Sequence, residues 1–101
     1  MPHIVWSPEA LDDLVRLHSF LAEHNEDVAE RAMGTIRKGV RLLGRFLLSG
    51  RTQPKQDSLK REWVIRFGPG AYIVDYEVVE DTAVIGSVRH SREQRDEQLD
   101  Q

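Results

Sequence analysis

The chain changes its hydrophobic period once, near residue 50, and this change limits the folds that it can adopt. Between residues 8 and 47, apolar side chains recur every three or four residues, as on the buried side of an amphipathic helix. Between residues 62 and 89 they alternate with polar side chains, as in strands that bury one face. A helical region followed by a strand region predicts an α+β domain in which helices cover one face of a sheet.

The helical region contains two patterns separated by a polar break. Ser7 and Pro8 begin the first, because serine is a preferred N-cap and proline is tolerated at the first helical position. This pattern ends near His24, and Asn25 offers the N-cap of the second helix. The second apolar stripe consists of Ala29, Ala32, Met33, Ile36, Val40, Leu43 and Leu47. The short connection between the two patterns predicts an antiparallel helical hairpin.

Glycines interrupt the second helical pattern at three positions, Gly34, Gly39 and Gly44. Each glycine inside a helix costs about 1 kcal/mol relative to alanine. We expect one of the three to be required because another backbone approaches the helix closely at that point, the alternative being that these glycines only reflect weak selection on a helix held by packing.

Strands are predicted on both sides of the helices. Residues 3–6 have the pattern of a short strand that can add to the edge of a sheet, and residues 51–58 that of a polar loop. Three further strands are predicted at residues 62–67, 72–79 and 82–89. The Gly68-Pro69-Gly70 sequence predicts a tight turn between the first two of them. The order β-α-α-β-β-β predicts the helical hairpin packed on a small antiparallel sheet.

The chain is expected to form one domain, because 101 residues are too few to bury two cores. We predict that this domain spans residues 1–90. Residues 91–101 carry many charges and almost no apolar side chains, so we expect a mobile tail or a frayed helix there.

Composition and spacing exclude several classes of protein. The chain has no cysteine, so disulfide and thiolate chemistry are excluded. Its four histidines show no metal-ligand spacing, and it has no phosphate-binding glycine motif, so neither a metal nor a cofactor is expected. No apolar run approaches the roughly 20 residues of a membrane helix. The N-terminus lacks the features of a signal peptide, so a cytoplasmic protein without membrane contact is expected.

Charge is strongly segregated along the chain, although the net charge is only −3. Residues 1–27 carry a balance of −5, residues 28–66 of +7, and residues 67–101 of −5. Part of the positive charge lies on the second helix, where basic residues four apart share an outward face: Arg37, Arg41 and Arg45. Such a segment suits an acidic protein partner or a phosphate backbone. The alternative is that these side chains only solvate the helix.

Four segments carry a resemblance to a known family. They are Val5-Trp6-Ser7-Pro8-Glu9-Ala10 with Asp13-Leu14, Gly50-Arg51, Arg61-Glu62-Trp63-Val64-Ile65 leading to Tyr72-Ile73-Val74-Asp75-Tyr76, and Asp81-Thr82 with Val84-Ile85-Gly86-Ser87-Val88-Arg89-His90-Ser91-Arg92. In this order and spacing they resemble the RelE/ParE toxin superfamily of type II toxin–antitoxin systems, and its ParE branch more than its RelE branch. The resemblance implies a cognate antitoxin whose C-terminal segment wraps the toxin and through which alone operator DNA is bound.

The two branches imply different activities: RelE members cut messenger RNA on the ribosome, whereas ParE members poison DNA gyrase. In the RelE branch an arginine follows the tyrosine of a central strand, but here Ile73 follows Tyr72, and no tyrosine follows Arg92. Isoleucine cannot stabilise phosphate charge. If the chain were a nuclease, its remaining candidate catalytic residues would be Arg61, Arg66, Arg89 and His90. The alternative for His90 is a structural role at the end of a strand.

Without a catalytic group, function must depend on binding. The candidate contacts with a target or an antitoxin are Arg37, Arg41, Arg45, Arg51, Lys55, Arg89, His90 and Arg92. Arg51 is preferred in the loop because it has no obvious local partner, the alternative being that it bonds the last carbonyls of the second helix. Trp63, Tyr72 and Tyr76 are expected in the core. An antitoxin segment is expected along the helical hairpin or at a sheet edge, with an apolar groove between the second helix and the sheet.

Three hypotheses therefore remain: a non-enzymatic gyrase poison, a divergent ribosome-dependent mRNA endonuclease, and an inactive module that only binds an antitoxin.

Overall fold

The computed structural model describes residues 3–52 and 59–93 and has seven elements of secondary structure within them. They are β1 (His3–Trp6), α1 (Pro8–Ala22), α2 (Glu26–Arg45), β2 (Arg51–Thr52), β3 (Lys60–Phe67), β4 (Gly70–Val79) and β5 (Thr82–His90). The two helices pack on each other and on the sheet. The predicted α+β class, with a helical hairpin on a small sheet, is confirmed.

Both helices begin where the capping residues predicted. The Ser7 hydroxyl accepts a hydrogen bond from the Ala10 N–H at 3.0 Å, with Pro8 as the first helical residue. The Asn25 side-chain oxygen accepts from the Val28 N–H at 3.1 Å at the start of α2. These contacts satisfy N–H groups that have no partner inside a helix, so each starting point is encoded locally.

The sheet has the strand order β1-β5-β4-β3-β2. Strands β3, β4 and β5 form the predicted antiparallel meander, with Trp63 opposite Val74 and Val74 opposite Val88. β1 lies at the edge, as predicted, but it pairs in parallel with β5, so that Val5 lies opposite Val84. The sheet is therefore mixed and not purely antiparallel. The direction of β1 depends on where the helical hairpin returns the chain, and no local pattern encodes that.

A second difference concerns residues 51–58, which were predicted to be a loop. Arg51 and Thr52 form the short strand β2, with Arg51 opposite Glu62 and Thr52 opposite Arg61. Both β2 residues are exposed, so no alternation of apolar and polar side chains could indicate this strand. The rest of the predicted loop, residues 53–58, lies outside the described residues.

The core lies between the helices and the central strands and includes Ile36, Leu43, Val74 and Ile85. Gly39 is the glycine that close packing requires, because a Cβ there would lie 2.5 Å from Ile65 Cδ1 of β3. Next to it, the Trp63 indole N–H donates to the Gly39 carbonyl at 3.0 Å. A Cβ at Gly34, in contrast, would meet nothing within 4 Å. The close neighbour of the helix at Gly39 is therefore a side chain and not the backbone that was expected.

Two tyrosines of β4, Tyr72 and Tyr76, are each only 2% exposed, which confirms their expected place in the core. The Tyr76 hydroxyl donates to the Leu47 carbonyl at 2.7 Å and accepts from the Gly50 N–H at 2.9 Å. It therefore ties the chain that leaves α2 to the centre of the sheet. Arg61 holds the same segment, because its guanidinium donates to the Leu48 and Gly50 carbonyls at 3.0 Å each.

Candidate protein-binding surfaces

The exposed side of α2 combines positive charge with apolar surface. Arg37, Arg41 and Arg45 are exposed there, as predicted. Leu42 and Phe46 lie beside them and are 49% and 50% exposed. We call these five residues together with Lys38 the α2 basic surface. None of its four cations forms an ion pair or a side-chain hydrogen bond with another described residue. Free cations beside an apolar stripe suit an amphipathic acidic segment.

The sheet face opposite the helices carries a charge network centred on Glu62. The Glu62 carboxylate accepts from Arg51 at 2.8 Å through one oxygen and from Arg89 at 3.4 Å through the other. Arg51 therefore has a partner, although none lies near it in sequence. The alternative, in which Arg51 bonds the last carbonyls of α2, is not what is found: among the described residues, the Arg51 side chain bonds only Glu62. The partner lies eleven residues away in sequence, and only strand pairing reveals it.

The four residues that a nuclease would need lie on two different faces of the sheet. Side chains alternate along a strand, so Arg61 of β3 points to the helix side, where it bonds the segment after α2, and Arg66 points to the opposite face. In β5, His90 lies opposite the core residue Tyr72, whereas Arg89 lies opposite Ile73 and reaches Glu62. Arg61 and His90 therefore lie on one face of the sheet, and Arg66 and Arg89 lie on the other.

His90 is engaged in structural contacts. Its Nδ1 accepts from the Arg92 backbone N–H at 3.0 Å, its backbone N–H donates to Glu93 at 2.8 Å, and its ring packs edge-on against Tyr72 at a centroid distance of 5.3 Å. Gly70 permits this position, because a Cβ there would lie 2.7 Å from His90 Nε2. These contacts correspond to the structural alternative for a histidine at a strand end.

Beyond the end of β1, two carboxylates and one guanidinium bond the backbone at the edge of β5. Asp13 accepts from the Val88 N–H at 2.8 Å, and Arg16 lies 3.4 Å from the Val88 carbonyl. Arg16 also pairs with Glu93, whose carboxylate accepts the His90 N–H. The residue pattern does not reveal this cluster, because acidic residues near the start of a helix are also explained by the helix dipole.

A cavity of about 710 Å³ opens between the C-terminal half of α1, the turn between β3 and β4, and the end of β5. Apolar side chains form most of its wall: Leu17, Phe20, Leu21, Phe67, Pro69 and Tyr72. Arg16, His90, Arg92 and Glu93 also line it. The apolar groove was predicted between the second helix and the sheet, whereas this cavity lies against α1. The cavity lies at this place because α1 packs on β5, so that the β3–β4 turn at residues 68–70 lies beside the C-terminal half of α1.

Two of the sequence-based predictions fall wholly or partly outside the described residues. Lys55 and residues 94–101 lie outside them. Ser91 and Glu93 contact the domain, since the Ser91 hydroxyl accepts from the Ala71 N–H at 3.1 Å. Among residues 3–52 and 59–93, no helix is long and apolar enough to cross a membrane. The same residues contain no group of three or more side chains that could hold a metal ion.

Comparison with protein-family models gives a match over residues 4–95, to the family described as the ParE toxin of the type II toxin–antitoxin system parDE. The chain belongs to this family. Membership makes it a toxin of a type II system and implies an antitoxin partner.

Two similar proteins extend this comparison of the ParE-family toxin. A curated relative, Toxin RelE3 of Caulobacter vibrioides, is 30% identical over 95 residues, which are 94% of this chain and 100% of the relative. A solved structure, described as a chromosomal ParDE TA system from P. aeruginosa, matches with a TM-score of 0.71 at 18% identity. It covers 87% of this chain and 94% of the other. The resemblance stated from sequence motifs is confirmed, and so is the fold.

The two tyrosines of this ParE-family toxin predict how its stability changes at alkaline pH. Burial raises the pKa of Tyr72 above its ordinary value of 10.0, and the negative charge of Glu93 raises it further. Burial also raises the pKa of Tyr76, although the Gly50 N–H and Arg61 oppose the change. Both pKa values are higher in the folded state than in the unfolded state. The contribution of these two tyrosines to the free energy of unfolding is therefore fully present below about pH 10, and it is lost as the pH rises through the folded pKa values.

The measurement is tyrosinate absorbance during alkaline titration, followed together with circular dichroism. The chain has only two tyrosines, so the signal reports these positions alone. We expect the absorbance to rise with the loss of structure, at a higher pH than in urea-unfolded protein. Titration of both tyrosines at the unfolded pH while the fold persists would contradict this prediction.

Proposed function

We propose that this ParE-family toxin inhibits DNA gyrase by binding it and cuts no nucleic acid itself. One observation supports the claim that the toxin cuts no nucleic acid. Arg61 and His90 lie on one face of the sheet, and Arg66 and Arg89 lie on the other. Metal-free RNA cleavage needs a proton acceptor, a proton donor and cations gathered around one phosphate. Residues divided between two faces cannot surround one phosphate.

The charges on the sheet face opposite the helices support the same proposal. Glu62 is shared by Arg51 and Arg89, so one of the two positive charges of these guanidiniums is already balanced inside the protein. Ile73 occupies the position opposite Arg89 in β4, where the RelE pattern would place a guanidinium. Gyrase as the target rests on the resemblance to the ParE branch.

A second candidate function is cleavage of messenger RNA on the ribosome, which the name of the relative Toxin RelE3 favours. It requires the divergent set Arg61, Arg66, Arg89 and His90 to act together. The engagement of His90 with the Arg92 N–H and Tyr72 weighs against a role in proton transfer.

Neutralisation by a cognate antitoxin is the other part of the proposal. We assign the α2 basic surface as the place where an acidic, amphipathic antitoxin segment lies, since its cations have no partner among the described residues and Leu42 and Phe46 are half-exposed beside them. Operator DNA would be bound through the antitoxin. A gyrase poison acts where the chromosome is, so the proposal also places the protein in the cytoplasm.

The test adds purified toxin to two assays, supercoiling by gyrase and translation of a defined transcript by ribosomes. We expect supercoiling to fall with toxin concentration and to recover when antitoxin is added, while the transcript remains uncut. The His90→Ala variant should inhibit gyrase as the original does. Transcript cleavage that this substitution abolishes would replace the proposal with the nuclease, and silence in both assays would indicate a module that only binds an antitoxin.

A further inference from the structure

The outer side of the helical hairpin, which faces away from the sheet, exposes apolar side chains of α1. Leu11 is 49% and Val15 is 66% exposed, and the two lie four residues apart on one side of the helix. His18 lies on the same side and pairs with Glu30 of α2 at 2.9 Å, so this side borders the seam between the two helices. The exposed apolar pair therefore lies beside α2, and it does not line the cavity on the other side of α1.

Across the seam, α2 has a gap in its surface at Gly34. This glycine follows Glu30 by four residues and so lies on the same side of α2. A Cβ there would meet nothing within 4 Å, so no other part of the described chain fills the gap. Since the helices are antiparallel and His18 pairs with Glu30, Val15 lies level with the position three residues after Glu30, next to Gly34. A projecting apolar side chain and a gap thus lie side by side at one level of the hairpin.

The two helices carry opposite charges on this outer side. Asp12 is exposed on α1, and its carboxylate has no partner among the described residues. Lys38 is exposed on α2, one turn after Gly34, and within the same residues its ammonium has no partner either. These two charges belong to the segments with balances of −5 and +7. A surface that is acidic on one helix and basic on the next is complementary to itself when one copy is turned over onto the other.

From this arrangement we infer that a second copy of the chain docks on the outer side of the helical hairpin to form a symmetric dimer. A two-fold axis that runs along the seam, parallel to the helices, places α1 of each copy over α2 of the other and keeps each residue at its level. Val15 of one copy then enters the gap at Gly34 of the other, where the missing Cβ lets the helices approach closely. Asp12 of one copy faces Lys38 of the other, and each contact occurs twice.

This inference does not rest on the proposed function, because it concerns the toxin alone. It does have a consequence for the antitoxin. The second copy covers Lys38 and part of the α2 basic surface, so it would compete with an antitoxin segment that lies there.

The first experiment measures self-association of the full chain by analytical ultracentrifugation between about 1 and 300 μM at low salt. We expect a reversible equilibrium between monomer and dimer. Val15→Asp should weaken it at least about 10-fold, whereas its matched control Phe20→Asp, 62% exposed on the same helix but on the cavity side, should change it less than about 3-fold. A monomer at every concentration, assemblies that grow beyond the dimer, or equal losses in the two variants would each overturn the inference.

A second variant separates association from folding. Glutamine forms helices better than glycine, and a Cβ at position 34 meets nothing within its own chain, so Gly34→Gln should raise the urea midpoint of the monomer. The same side chain fills the gap into which the second copy inserts, so we expect dimerisation to weaken at least about 10-fold. A dimer of unchanged affinity in this variant would show that the copies do not meet at Gly34.

A charge exchange tests the symmetry of the dimer. Asp12→Lys and Lys38→Asp each bring like charges together at both contacts, so each variant alone should dimerise about 10-fold more weakly than the original. When the two variants are mixed in equal amounts, both contacts regain opposite charges, and we expect a heterodimer within about 3-fold of the original affinity. If the mixture associates no better than the separate variants, the inferred arrangement is wrong.

Discussion

Replacing Tyr76 by phenylalanine is expected to lower the free energy of unfolding by about 2–4 kcal/mol, because a buried N–H and a partly buried carbonyl lose their partner. The Tyr76 hydroxyl donates to the Leu47 carbonyl at 2.7 Å and accepts from the Gly50 N–H at 2.9 Å. Phenylalanine fills the same space but leaves both groups unsatisfied. Gly50 cannot move away freely, because the Tyr76 ring and the Glu62 carbonyl crowd the position where its Cβ would be.

Urea denaturation at neutral pH measures this loss, and Tyr72→Phe is its matched control. Tyr72 is as deeply buried as Tyr76, but its hydroxyl has no partner among the described residues. We expect the control to change the free energy of unfolding by less than about 1 kcal/mol. Similar losses in the two variants would show that ring packing, and not the two hydrogen bonds, accounts for the effect.

Reversing charges on the α2 basic surface is expected to weaken antitoxin binding by about 100-fold. The double variant Arg41→Glu and Arg45→Glu replaces two cations without a partner by two anions that repel an acidic segment, and like charges across an interface cost several kcal/mol. Both side chains are exposed, so the fold should tolerate the change. Calorimetric titration with purified antitoxin gives the affinity of each protein.

The control for this reversal is Lys60→Glu with Arg66→Glu, which changes the net charge equally but lies on β3. We expect its affinity to remain within about 3-fold of the original. Salt gives a second readout, because the affinity of the original protein should fall with ionic strength more steeply than that of the α2 variant. Equal affinities of the two double variants would exclude the α2 basic surface as the antitoxin contact.

The candidate binding residues could be predicted from sequence to different extents. Arg37, Arg41 and Arg45 were identified by their spacing of four, since positions four apart share one face of a helix. Arg51 was chosen because no partner lies near it in sequence, and Arg89 as a candidate contact at the end of a strand, but both contact Glu62. Their pairing follows from strand register, which brings together residues that are far apart in the chain.

The cavity illustrates a further limit of sequence patterns. In the sequence, Phe20 occupies an ordinary apolar position and Tyr72 a core position. Their spacing does not indicate that both side chains line one cavity. Glu93 was predicted to be part of a charged tail. In the structure its carboxylate accepts the His90 N–H at the end of β5 and pairs with Arg16. Such groupings depend on the packing of α1 against β5, two elements that are far apart in the chain.

By itself, the sequence determined what is encoded by neighbours in the chain. The caps Ser7 and Asn25, the helical and alternating periods, and the turn at 68–70 each depend on contacts within a few residues. The tertiary structure alone decided the parallel direction of β1, the division of Arg61 and His90 from Arg66 and Arg89, and the free hydroxyl of Tyr72 in its cavity. The physical reason is that these features depend on which distant segments meet, and a local pattern of residue types does not carry that information.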